Sequence, residues 1–144
     1  MSMKQFIRNM DQEAVAAAIR AAEQATSAEI RVCIGRHKPE DVMQAARAAF
    51  LRLGMTATRE RNGVLIYVAP RARRFAVLGD QGIHEHVGEQ HWQEIAAAMG
   101  SHFGKGDFTA GITHAIRTAA AALARHFPRQ KADRNELPDH IATD

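Results

Sequence analysis

The sequence contains little cysteine, no long apolar run and little excess charge. Its one cysteine, Cys33, cannot form an intrachain disulfide, so neither a disulfide-stabilised fold nor an oxidising compartment is indicated. No apolar run reaches the roughly 18 residues that span a bilayer, so membrane insertion is not expected. Because the N-terminus also lacks the apolar core of a signal peptide, we expect a cytoplasmic protein.

The charge balance also argues against nucleic-acid binding. The chain has 19 Lys and Arg residues against 16 Asp and Glu, a formal net charge of +3, and the basic residues are spread along its length. A nucleic-acid site needs basic residues clustered on one face. The nearest approach to such a cluster is Arg71, Arg73 and Arg74, which form either a solvated turn or an anion contact.

Several catalytic signatures are missing. Neither a G-x-S-x-G elbow nor a G-x-G-x-x-G fingerprint occurs, and "GKGD" (104–107) lacks the flanking residues of a P-loop. Cys33 has no arginine at the spacing of a phosphatase thiolate loop, so we interpret it as a small packing residue. His84, His86 and His91 lack the i, i+4 spacing of a helical zinc pair, and we expect them at the surface.

The order of the predicted elements indicates an α/β fold. A helix over residues 11–25 precedes the alternating strand "AEIRVCIG", and a second helix over 39–54 leads to the apolar strand "NGVLIYVA". The segment "RFAVLG" follows after a short turn and should form a hairpin with that strand. Two further helices follow, one carrying Trp92 and ending at Gly100, and one that Asp107 caps.

These elements predict a three-layer α/β/α sandwich with helices on both faces of a small mixed sheet. A helical crossover makes the first two strands parallel, and the hairpin adds the third strand antiparallel. We expect a single domain over residues 1–128. Residues 129–144 should form an extended C-terminal tail, held to the body by Leu137 and Ile141.

Five segments of the chain form a recognisable pattern. They are "EQATSAEIRV" (23–32), "LGMTATRERNGVLIYVAPRARRFAVLGDQGI" (53–83), "HWQEIAAAM" (91–99), "HFGKGDFTAGI" (102–112) and "NELPDHI" (135–141). In this order they resemble the TPM domain family, which includes thylakoid-lumen repair proteins, bacterial envelope proteins and a receptor-accessory protein. The segment "NELPDHI" is similar to a bacterial subgroup made of the domain alone. The resemblance implies an α/β/α fold and three suggested activities: weak acid phosphatase, calcium binding and assistance to membrane complexes.

The hairpin predicts where a polar site lies. If residues 70–73 form the turn, Tyr67 faces Ala76 and Leu65 faces Leu78, which brings the end of the hairpin's second strand beside the start of its first. The first strand of the parallel pair begins at the same end. The predicted ligand-binding residues are Glu29, Arg61, Asn62, Asp80 and Gly82, with Asp107 from the last helix as a further candidate.

Carboxylate and carbonyl oxygens suit a hard cation, so Glu29, Asp80 and Asp107 are predicted ligands for calcium or magnesium. A purely structural interpretation is equally open: Glu29 and Arg61 as an ion pair, Asn62 as a turn residue, and the aspartates as helix caps. The opposite end of the sheet offers Arg36, His37 and the arginine turn to an anion.

Two functional hypotheses follow. The first is a binding or assembly module, with a divalent cation at the Glu29 and Asp80 end, that contacts another protein or a membrane-protein complex from the cytoplasmic side. The alternative is a weak metal-assisted acid phosphatase, in which the carboxylates position a water through a bound metal.

Overall fold

The computed structural model describes residues 1–129 and 141–144, which form a four-stranded sheet with helices on both faces. The strands of this part are β1 (Glu29–Ile34), β2 (Gly63–Ala69), β3 (Arg74–Gly79) and β4 (Ala142–Thr143), and its helices are α1 (Met3–Arg8), α2 (Gln12–Ala25), α3 (Val42–Arg52), α4 (Gln81–His86), α5 (Glu89–Gly104) and α6 (Phe108–His126).

The sheet has the order β3-β2-β1-β4. Strands β1 and β2 are parallel, and β2 and β3 form the antiparallel hairpin. The predicted pairs, Tyr67 with Ala76 and Leu65 with Leu78, both occur. The α/β class and the mixed sheet are therefore confirmed, because alternation of apolar side chains and the length of the turn together determine a hairpin register.

The fourth strand was not predicted. Ala142 and Thr143 pair in parallel with Cys33 and Ile34, so the end of the tail extends the sheet beyond β1. A two-residue strand has no periodicity of its own and forms because β1 offers unpaired backbone groups at this edge. Ile141 packs against the core as expected, whereas Leu137 lies outside the described residues.

Two hydrophobic cores lie on opposite faces of the sheet, which confirms the three-layer arrangement. The larger core joins the sheet to α1, α2, α4, α5 and α6, and the smaller core joins it to α3. Side chains therefore alternate between the two cores along β2: Val64, Ile66 and Val68 face the larger core, and Leu65 and Tyr67 face the smaller one.

Local capping explains most helix boundaries, and packing explains the exceptions. Asp11 caps α2 by accepting a hydrogen bond from the backbone N–H of Ala14. Helix α3 begins at Val42 rather than near Pro39, because the Asp41 carboxylate caps it. Helix α5 continues past Gly100 to Gly104, because a glycine inside a helix costs only about 1 kcal/mol and the buried residues Trp92, Ile95 and Met99 hold the helix against the core.

Helix α4, which replaces an expected irregular stretch after Asp80, was also not predicted, and neither was helix α1. Ser2 and Gln5 form a reciprocal capping box at its start, and Phe6 anchors it in the larger core. Within residues 1–129 and 141–144, none of the helices combines the length and the apolar character needed to cross a membrane.

Candidate functional site

The structure brings the predicted polar residues of the hairpin to one edge of the sheet. Glu29 begins β1 opposite Gly63, and the Gly63 carbonyl accepts a hydrogen bond of 2.9 Å from the Asp80 backbone N–H. The amino ends of the two parallel strands and the carboxyl end of β3 therefore meet here. Strands pack about 4.8 Å apart, so the backbones of Glu29 and Asp80 lie about 10 Å from each other.

Asp80 is the most tightly held side chain of this edge. Its carboxylate accepts two hydrogen bonds from the Arg61 guanidinium, Nε at 2.7 Å and Nη2 at 3.0 Å. It also caps α4 through the Gln81 backbone N–H at 2.7 Å. Asp80 is buried, with 6% of its surface exposed, whereas 44% of the Arg61 side chain is exposed. Hydrogen bonding to Asp80, followed by its charge, raises the pKa of Arg61 above its ordinary value.

Gly82 acts through its lack of a side chain. Its N–H donates a 2.8 Å hydrogen bond to the Arg61 carbonyl. A Cβ at this position would lie 2.3 Å from the Glu60 carbonyl oxygen and 2.7 Å from that of Arg61. Arg61 itself has a left-handed backbone, with φ of 52°, which turns the chain into β2. The contact between α4 and residues 60–61 therefore requires glycine and positions the Arg61 and Asp80 pair.

Glu60 belongs to the same edge, although no pattern in the sequence indicated it. One of its carboxylate oxygens accepts hydrogen bonds from the Ser27 hydroxyl at 3.0 Å and the Asn62 amide at 3.4 Å. The Asn62 backbone N–H is held by the Thr58 hydroxyl at 3.1 Å, and both of those residues are buried. We name the carboxylate edge as Ser27, Glu29, Glu60, Arg61, Asn62, Asp80 and Gly82.

Glu29 is more buried than is expected for a residue on the exposed face of a strand. The alternation in β1 predicted one buried face, but all six residues of the strand are buried, including Glu29 and Arg31 at 6% exposure each. Helix α3 packs on the face that carries the polar residues, which explains the difference. The predicted ion pair of Arg61 is made with Asp80 rather than with Glu29.

Asp107 does not lie at the carboxylate edge. It caps α6 through the Ala110 backbone N–H at 3.3 Å, which is the structural role considered for it. The other end of α6 reaches the edge, because the Phe127 carbonyl accepts a hydrogen bond of 2.8 Å from the Ser27 N–H. A helix of 19 residues is about 28 Å long, so Asp107 lies at the opposite end of the molecule.

The predicted cation ligands fit a metal ion only in part. Both Asp80 oxygens accept hydrogen bonds from Arg61 or Gln81, and the Arg61 charge disfavours a second cation beside them. Glu60 is exposed, and its two donors among the described residues, the Ser27 hydroxyl and the Asn62 amide, are neutral. Within the described ranges, no three His, Cys, Asp or Glu side chains lie close enough to hold a metal ion together. A cation at this edge would therefore also use backbone carbonyls, hydroxyls or water.

The other candidate groups are structural or lie elsewhere. Cys33 is fully buried in the smaller core, and this burial raises the pKa of its thiol to about 11. His84 and His86 are exposed, but the ring of His86 stacks on His126 at a centroid distance of 5.6 Å. His126 is the last residue of α6, so residue spacing within the histidine-rich segment could not predict this pair.

At the opposite end of the sheet, Arg36 is engaged within the fold. Its backbone N–H and its Nε donate hydrogen bonds to the side chain and backbone oxygens of Asp144, at 2.9 and 2.7 Å. Arg36 therefore attaches β4 to the end of β1. His37 is exposed, as are Arg71, Arg73 and Arg74 of the turn between β2 and β3.

Comparisons with known proteins find clear similarities. The family model described as "TPM domain" matches residues 2–122. Among solved structures, an NMR structure of the BA42 protein from the psychrophilic bacterium Bizionia argentinensis is 39% identical, with a TM-score of 0.86, and the match covers 92% of each chain. No curated protein matches significantly. The whole carboxylate edge lies within the range that the family model matches.

Proposed function

Because this chain belongs to the TPM domain family, as its sequence motifs indicated, we propose that it is a binding module that takes calcium or magnesium at the carboxylate edge. The observation that supports the proposal is the exposed Glu60 carboxylate, which lies at the end of the sheet where β1 begins with Glu29 and β3 leads into Asp80. Glu60 supplies the accessible carboxylate, and its orientation is set by Ser27 and Asn62. Hard cations prefer such oxygen donors.

The Arg61 and Asp80 pair gives the site two states in this proposal. While Arg61 holds Asp80, the edge carries a compensating positive charge. The Arg61 side chain is 44% exposed, so its guanidinium has room to turn into solvent, whereas Asp80 is buried and its carboxylate needs a new positive partner when Arg61 leaves. Cation binding would then replace one partner of Asp80 by another and change the surface charge of the edge.

Thermal unfolding with and without calcium tests this proposal. A ligand that binds only the folded state at a hundred times its Kd adds about 2.7 kcal/mol to the free energy of unfolding. We expect a rise in Tm in millimolar calcium that is reduced in Glu60→Gln and in Asp80→Asn. The control is Glu13→Gln, because Glu13 also pairs with an arginine, Arg20, but on the exposed face of α2. An unchanged Tm in both calcium and magnesium would exclude the cation.

A metal-assisted phosphatase is the second candidate function. The exposed Arg61 guanidinium beside the carboxylates favours it, because a guanidinium matches the geometry of a phosphate. We expect hydrolysis of 4-nitrophenyl phosphate in the presence of the metal, and its loss in Asp80→Ala. Activity that persists in this variant would show that a contaminant is responsible.

The proposal also includes a partner and a location. We propose a cytoplasmic module that binds another protein, or a membrane-protein complex from its cytoplasmic side, with the charge of the carboxylate edge regulated by the cation. Affinity purification from cell fractions, with calcium or with a chelator, tests this part. A partner that is retained equally by the wild type and by Glu60→Gln in both conditions would contradict regulation by the cation.

A further inference from the structure

A cavity lies at the end of the sheet opposite the carboxylate edge. It has a volume of about 520 Å³ and opens where β2 ends and β3 begins, around Ala69 and Pro70. Small-molecule sites commonly have volumes of about 300 to 1,000 Å³. In open α/β sheets such sites lie beyond the carboxyl ends of the parallel strands, which is where this cavity is found.

The inner wall of the cavity is aromatic. Phe6, Phe75, Phe103 and Phe108 line it, and their neighbouring rings meet at centroid distances of 4.7 to 6.0 Å, mostly edge to face. Gly111 of α6 makes room for this arrangement, because a Cβ there would lie 2.7 Å from the Phe103 ring. Such a wall binds an apolar body through burial and ring contacts.

The rim of the cavity is positively charged. Arg73 and Arg74 line it, and no carboxylate is found among its described lining residues. The two guanidinium groups form no ion pair with any described residue. Arg73 has a left-handed backbone, with φ of 55°, a conformation in which glycine is favoured. A residue other than glycine in this conformation lowers the stability of the fold, so the Arg73 side chain is present at an energetic cost.

We infer that this cavity binds a small organic anion. Its apolar body would lie against the phenylalanine rings, and its carboxylate or phosphate group would accept hydrogen bonds from Arg73 and Arg74. The positively charged rim disfavours a cationic ligand, and a neutral ligand would form no ion pair with either guanidinium group. The site is independent of the proposed function, because it shares no residue with the carboxylate edge.

Fluorescence titration with 1-anilinonaphthalene-8-sulfonate, an aromatic sulfonate, tests the inference. We expect saturable binding by the folded protein. Decanoate and 1-naphthyl phosphate should displace the probe, which distinguishes carboxylate from phosphate ligands, whereas decanol and inorganic phosphate should not. Equal displacement by decanol and decanoate would overturn the role of the arginines, and displacement by inorganic phosphate alone would overturn the role of the aromatic wall.

Three variants assign the probe to this cavity. The double variant Arg73→Gln and Arg74→Gln should weaken binding at least tenfold, because it removes both charges of the rim. Arg71→Gln is the matched control, since Arg71 belongs to the same turn but does not line the cavity. Gly104→Leu should block binding by filling part of the cavity, which Gly104 lines, and its Cβ would meet no atom within 4 Å.

Circular dichroism should show native folding for each variant. Unchanged binding by the double variant, or by Gly104→Leu, would overturn the inference. An equal loss of binding in Arg71→Gln would also overturn it, because that result assigns the probe to a diffuse basic surface.

Discussion

Substitution of Gly82 by alanine tests whether the contact between α4 and residues 60–61 is as tight as the structure shows. Real Cβ contacts are ordinarily 3.4 to 4 Å, but the new Cβ would lie 2.3 Å from the Glu60 carbonyl oxygen. The two backbone segments must therefore separate by about 1 Å. This movement would lengthen the 2.8 Å hydrogen bond from the Gly82 N–H to the Arg61 carbonyl beyond useful range.

The expected cost follows from these two changes. Overpacking of a rigid contact costs about 1 to 3 kcal/mol, and the lost hydrogen bond costs about 1 kcal/mol. The lower conformational entropy of unfolded alanine returns about 0.5 to 1 kcal/mol. We therefore expect Gly82→Ala to lower the free energy of unfolding by about 1 to 3.5 kcal/mol. At roughly 4 °C per kcal/mol for a domain of this size, Tm should fall by about 4 to 14 °C.

Urea unfolding measures this cost, followed by circular dichroism and by the fluorescence of Trp92, the single tryptophan, which is buried. Gly104→Ala is the control, because Gly104 is also helical but has open space around its Cβ position. The control should be as stable as the wild type or more stable by up to about 1 kcal/mol. If Gly82→Ala unfolds at the same urea concentration as the control, the close approach and its role in positioning Arg61 are refuted.

Three further predictions concern residues away from this contact. Burial raises the pKa of Cys33 to about 11 from an ordinary 9.0, so iodoacetamide should label the thiol only on unfolding, and rapid labelling of the native protein would contradict this. The free energy of unfolding should fall as pH rises from 9 to 11, because the unfolded chain loses the thiol proton first. Asp107→Ala should cost about 1 kcal/mol through the lost cap to Ala110 but leave any calcium-dependent rise in Tm unchanged. Tyr67→Phe should cost about 1 kcal/mol, because the hydroxyl donates a 3.0 Å hydrogen bond to Asp144. Native-state hydrogen exchange should show faster opening of β4 in this variant, and unchanged exchange would mean that the bond does not hold the strand.

The candidate site could be predicted in part from the sequence. The hairpin register placed Asp80 beside Arg61 and Asn62, and the parallel crossover brought Glu29 to the same end. Glu60 escaped prediction because it enters the site through side-chain contacts with Ser27 and Asn62, which no periodicity encodes. The prediction that Asp107 reaches this edge was wrong, because helix packing decides the direction in which α6 crosses the sheet.

The sequence by itself determined the α/β class, the hairpin register and the capping of α2 and α6. These features depend on residues close to each other along the chain, where alternation, turn length and hydrogen bonds to the backbone act locally. Tertiary structure alone decided that Glu60 joins the carboxylate edge, that β4 pairs with β1, and that four phenylalanines line a cavity with an arginine rim. Each of these contacts joins distant segments, and the burial of two apolar cores is the physical force that brings them together.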